Sequence, residues 1–293
     1  MSIADTRARL EEQVDLLPVL PTVVAQLMVL DRRSETYFDD VLALIEADAA
    51  FASRVLATAN SAASSPTSPI GSVRVALARL GGTGAVASIT AAAVSRVFVP
   101  DDPWEKALWR HAIQVAGASR ALVELDPSCT VEPDAAYVAG LLHDVGRIII
   151  FHHDADILRQ LDEGNWESPR ALIENEQRVC GITHPELGAR ACRRWHLPDV
   201  LVDAVARHHL PVTSPVTDVD RLVAIVQFAD LLMFPAAEPG APGRDAGDLA
   251  TIESDLLEHL PRNLAAVTAE QLSRVLSETM AWADETCESL GLV

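Results

Sequence analysis

Apolar residues recur at three- and four-residue intervals along nearly the whole chain, the spacing of one helix face. Residues 5–17 read as a short amphipathic helix stopped near Pro18. In LPVLPTVVAQLMVLDR, Val23, Leu27 and Leu30 keep the helical period, and Pro21 suits a first turn. DDVLALIEADAAFASRVLATAN predicts one or two helices with Leu42, Ile45, Phe51, Val55 and Leu56 inward. SAASSPTSPIGS, 61–72, is a loop by its Ser, Pro and Gly content. SVRVALARLGG predicts a short helix ended by its glycine pair, and TGAVASITAAAVSRVF a buried one after it. VPDDPW, 99–104, breaks the pattern and is the expected boundary between two units. Beyond it, WEKALWRHAIQVAGASRALVEL and PDAAYVAGLLHDVGRIIIF each predict one long helix. Five more follow in ADILRQLDEG, SPRALIENEQRVCG, HPELGARACRRWH, PDVLVDAVARHH and VDRLVAIVQFADLLMF. Residues 235–248 have a linker composition, and two tail helices fit at 249–260 and 268–290. No segment reads as a strand, so the fold class is all-α.

Composition agrees, because aromatic residues make up only 4% of a chain that is 49% apolar. Ala and Leu favour helices, whereas strands want aromatic and β-branched residues. Charge narrows the partners. A net charge of −19 with no basic stripe repels phosphate backbones, so nucleic acid is excluded as a partner. The N-terminus carries charges where a signal peptide has its apolar core, and no run reaches the ~18 apolar residues of a membrane span. A soluble cytoplasmic protein with no membrane partner is expected. The four cysteines are scattered and form no CxxC pair, which predicts free thiols.

The chemistry sits on the apolar faces. In AGLLHDVGRIIIFHH, His143 and Asp144 lie inside a segment made for burial. His111 has Ala107, Leu108 and Val115 one turn away, so it faces inward. Asp230 lies between Val226 and Phe234. His184 opens one helix, and His208 and His209 close the next. A buried carboxylate must be paired, protonated or metal-bound. Each residue taken alone has a plainer reading. His111 fits a hydrogen-bonded core histidine, His208–His209 complement a helix dipole, His184 suits a cap, and Asp230 suits a partner arginine. Together, His111, His143, Asp144, His184, His208, His209 and Asp230 form a ligand set suited to zinc, iron, manganese or nickel, as one ion or two. Two ions ~3.5–4 Å apart can activate water against a phosphoester.

LLHDVGR resembles the signature of the HD superfamily of metal-dependent phosphohydrolases. The order His111, His143–Asp144, His184, His208–His209, Asp230 resembles the ligand order of its HD-GYP branch. The likeness to a sister family, the HDOD domains, is closer. LPVLPTVVAQLMVL, LIEADAAFASRVLATANSA and SPIGSVRVALARLGG resemble its N-terminal lobe, and THPELGARACRRWHLPDVLVDAVARHH its C-terminal lobe. The resemblance runs from about Leu17 to Phe234. It implies a two-lobed helical fold with a lobe at 17–98 and an HD-like lobe at 99–234, to which the residue pattern adds an N-terminal helix at 1–16, the linker at 235–248 and a helical tail at 249–293.

It also implies a bacterial signalling module that works through protein partners, since most HDOD domains are thought to act without catalysis. Two further functions stand beside this one. The first is a metal-dependent phosphohydrolase acting on a nucleotide or cyclic dinucleotide, with Asp144 and the other six residues holding the ions and Arg147 steadying the phosphate. The second is a sensor that binds a nucleotide without hydrolysis. Two departures weigh on turnover. LPVTSPVTDVD follows His208–His209 where HD-GYP domains have Gly-Tyr-Pro, and Arg147 stands where active relatives usually have Lys.

Overall fold

The computed structural model describes the chain except residues 1, 19, 61–68, 96, 99, 127–128, 164–167, 213–215, 234–259, 262–263, 265–266 and 293. The expected linker at 235–248, the helix at 249–260 apart from its last residue, and Phe234 lie outside the described residues, as does most of the loop at 61–72. Among the described residues there are fourteen helices and no strand.

The first five are α1 (Ile3–Leu16), α2 (Thr22–Met28), α3 (Tyr37–Glu46), α4 (Ala49–Ala59) and α5 (Val73–Ser95). Asp48 starts α4 by accepting the backbone N–H groups of Ala50 and Phe51. The glycine pair bends α5 instead of ending it. Gly81 takes φ +71°, a left-handed value that glycine adopts without a Cβ clash, and the two halves cross at 98°. This fold-back lets α5 pack against α2, α3 and α4, with Leu42, Ile45, Phe51, Val55, Leu77 and Val86 buried among them. Leu56, expected inward, is half-buried.

The second lobe contains α6 (Pro103–Leu125), α7 (Pro133–Leu142), α8 (Val145–His153), α9 (Ala155–Glu163) and α10 (Pro169–Cys180). It continues with α11 (His184–Arg194), α12 (Asp199–Arg207) and α13 (Asp218–Met233), and α14 (Ala269–Leu290) closes the chain. Proline occupies the first turn of α6, α7 and α10, where its missing N–H costs no hydrogen bond. The pair α6–α7 forms the centre of this lobe, with α13 and α14 packed along α6. The first helix, α1, joins this lobe by packing on α8, α10 and α11. Arg190 pairs with Asp15, and the Trp195 indole N–H donates to the Pro18 carbonyl. The lobes meet through α5 and α7, and the apolar core is continuous across them.

A second helix boundary is also corrected. PDAAYVAGLLHDVGRIIIF is two helices, α7 and α8, with His143 and Asp144 at the turn between them. Adjacent residues of an unbroken helix point ~100° apart. The break frees the pair from that constraint, and both side chains reach one cluster.

All four cysteines are free, and three are buried. No single helix among the described residues is long and apolar enough to cross a membrane.

Candidate metal centre

The seven ligand candidates converge from five places in the second lobe. His111 comes from the middle of α6, His143 and Asp144 from the α7–α8 turn, and His184 from the first residue of α11. His208 and His209 follow α12, and Asp230 lies near the end of α13. Local sequence fixes several of these positions. Thr183 and Glu186 form a reciprocal cap that starts α11 and makes His184 its first helical residue, so the cap is Thr183 and not the histidine. The imidazole N–H of His143 donates through Nδ1 to the Gly140 carbonyl at 2.7 Å. His208 does the same to Val205, also at 2.7 Å. With their protons committed to Nδ1, both rings turn an open Nε2 lone pair to the centre.

Asp144 lies between two groups of imidazoles. Its Oδ1 is 3.2 Å from His184 Nε2 and 3.6 Å from His208 Nε2, and its Oδ2 is 3.5 Å from His143 Nε2. Asp230 Oδ1 is 3.0 Å from His111 Nε2 and 3.8 Å from His143 Nε2, so its partners are imidazoles and not an arginine. Donor atoms of Asp144, His184, His208 and His209 all lie within 4.8 Å of one another, and so do those of His111, His143 and Asp144. The two sets share one carboxylate. His143 Nε2 is buried without a hydrogen-bond partner, and the Nε2 atoms of His184 and His208 face each other at 3.1 Å. A divalent cation satisfies such lone pairs, and the mixed imidazole and carboxylate donors suit a transition metal.

Burial and charge set the protonation states. Burial pushes His143 down to about 4, with Asp144 and Asp230 offsetting part of it. Burial, with His208 and His184 nearby, takes His209 to about 2. Both rings are therefore neutral and ready to ligate. Burial also works against a charged His184, but the Glu176 and Asp144 carboxylates outweigh it and raise this imidazole to about 9. Burial opposes the Asp144 carboxylate too, yet the surrounding imidazoles hold it well below its ordinary value.

A pH dependence follows. His184 carries an extra proton below about pH 9, and a metal ion must displace it. Affinity should rise by up to about tenfold per pH unit from 7 towards 9 and then level off. Calorimetric titration with zinc in two buffers of different ionisation enthalpy, repeated across this range, checks both the slope and the proton release. A flat profile would contradict the assignment.

Two residues of the centre's surroundings were not singled out from the sequence. Glu176 on α10 is fully buried and accepts both the backbone N–H and the Nδ1–H of His184. Asp162 on α9 forms an ion pair with Arg147 and accepts the Trp104 indole N–H at 2.9 Å. Arg147 is buried and ion-paired with Asp162, while its Nε, 3.8 Å from Asp144 Oδ2, is buried without a hydrogen-bond partner. Glu176 could have been found from its spacing, since Leu172 and Cys180, four residues to either side, complete the buried stripe of α10.

Residues 17–211 match the HDOD domain family. The chain is similar to a solved HDOD domain protein of unknown function from Geobacter sulfurreducens, with 25% identity and a TM-score of 0.70 over 97% of this chain and 99% of that one. A candidate phosphohydrolase from Shewanella amazonensis has a TM-score of 0.67 at 22% identity, covering 97% and 98% of the two chains. A candidate signal transduction protein from Marinobacter aquaeolei has 0.66 at 19%, covering 99% of this chain and 66% of that one. An uncharacterised Treponema pallidum protein is 24% identical over 224 residues, 76% of this chain. The chain spans 43% of that relative's length, and 18% of the length of a ribonuclease Y from Lactobacillus acidophilus that it also matches.

Proposed function

This chain belongs to the HDOD domain family, and from that premise we propose that it is a bacterial, cytoplasmic signalling module that acts through protein partners and holds an HD-type centre of one or two transition-metal ions. The observation that carries the metal centre is the Asp144 carboxylate, shared between two sets of donors, with His143 and His208 holding their ring protons away from it. One set is Asp144, His184, His208 and His209, and the other is His111, His143 and Asp144, with Asp230 beside it. Iron, manganese, zinc and nickel all suit these donors. An ion bound there supplies Lewis acidity and lowers the pKa of the water it holds.

Contact, with no turnover, is the better reading of the surroundings. The guanidinium beside Asp144 is buried and already paired with Asp162, which weakens it as a phosphate clamp. Leu210 and Pro211 follow His209, and 42 acidic residues against 23 basic ones lower the encounter rate with anionic substrates. Convergence of the full ligand set supports the second reading, a phosphohydrolase or a nucleotide sensor using the same centre.

The test is a turnover assay on the metal-loaded protein, with cyclic di-GMP and p-nitrophenyl phosphate as substrates and Asp144→Ala as control. Negligible hydrolysis by a protein that retains metal is the expected result. Robust hydrolysis that disappears in the variant would establish the phosphohydrolase instead.

A further inference from the structure

Glu176 lies on α10, a helix that contributes none of the seven ligand candidates, yet its side chain is as buried as any apolar residue of the core. Both of its oxygens face one residue. Oε2 accepts the His184 backbone N–H at 2.8 Å, and the His184 Nδ1–H points between Oε1 and Oε2 at 2.7 and 2.8 Å. A carboxylate can only accept, so the Nδ1 proton is fixed there. On the opposite side of the ring, Nε2 lies 3.2 Å from Asp144 and 3.1 Å from His208.

We infer that Glu176 is the positioning residue of the centre: it holds the His184 proton on Nδ1, so that Nε2 is the atom a metal ion takes when it displaces the ring's second proton. The inference rests on the metal reading above but adds a residue and a mechanism to it. A helix away from the ligands thereby controls whether one of them can bind.

Glu176→Gln separates this role from simple packing, because glutamine has the same shape but only one acceptor oxygen. If that oxygen keeps the backbone N–H, the side-chain NH2 faces Nδ1. The ring then gives up its Nδ1 proton and carries one on Nε2, aimed at Asp144 and His208. Two measurements read this out. The first is nitrogen-15 NMR of the metal-free protein, where His184 Nδ1 is expected to be protonated in the wild type and bare in the variant. The second is cobalt(II) titration followed by visible absorption. The set containing His184 should lose 10–100-fold in affinity, the usual effect of removing a ligand's outer partner, while the set containing His111 keeps its own.

A packing role would move the unfolding midpoint without moving the proton. Unchanged Nδ1 protonation together with unchanged cobalt affinity in the variant would overturn the inference, as would a bare Nδ1 in the wild type. Failure of the wild type to take up cobalt would count against the metal reading alone, since the nitrogen shifts decide the role of Glu176 without any metal. Should the variant not fold, the wild-type nitrogen shifts still decide.

Discussion

Gly146→Ala is expected to destabilise the protein by about 3 kcal/mol or more, at the upper end of what overpacking costs. A Cβ on Gly146 would lie 2.0 Å from the His184 carbonyl oxygen, 2.7 Å from its carbonyl carbon and 2.8 Å from its Cα. All three atoms are backbone, so no side chain can rotate away. The starts of α8 and α11 would have to separate by more than an ångström. That movement strikes the centre directly, because the same contact holds Asp144 within 3.2 Å of His184. The variant should therefore lose metal affinity along with stability. Urea unfolding of the metal-free proteins gives the first quantity, and zinc titration of whatever remains folded gives the second. A variant with wild-type midpoint and wild-type affinity would show that the helices do not meet this closely.

Asp144→Ala is expected to have the larger effect on metal. The carboxylate supplies one oxygen to each donor set, so its loss removes a ligand from both at once. A drop of more than about 100-fold is predicted, beyond what losing an outer hydrogen-bond partner costs. By contrast, His111→Ala removes a donor from one set only and should spare the other. Competition titrations with a chromogenic zinc chelator distinguish the patterns: both sites weakened for Asp144→Ala, and one for His111→Ala.

Much of the helical order is legible in the sequence because its signals are local. Prolines open α6, α7 and α10, Asp48 and Asp102 cap α4 and α6, and Ala-rich amphipathic runs fill the interiors. The inward position of His111 follows from its apolar neighbours in the same way. The break at His143–Asp144 is different. Nothing in LLHDVGR stops a helix, and what pins the turn is a contact with a carbonyl 38 residues further on, at His184. The bend at Gly81 has a local cause, but its direction is set by packing on α2, α3 and α4. Glu176 and Asp162 read as solvent-facing, because a lone carboxylate on a polar surface helix usually faces water. Their partners, His184 and Arg147, become neighbours only once α9 and α10 fold against α8 and α11.

The central claim is that these residues form a shared-carboxylate metal centre, and the number of metal ions per chain tests it most directly. The protein is purified without chelator, equilibrated with manganese or iron, freed of excess ion and measured by elemental analysis beside Asp144→Ala. The account predicts one to two ions per chain in the wild type and close to none in the variant. A wild type that holds no transition metal, or a variant that holds as much as the wild type, would contradict it.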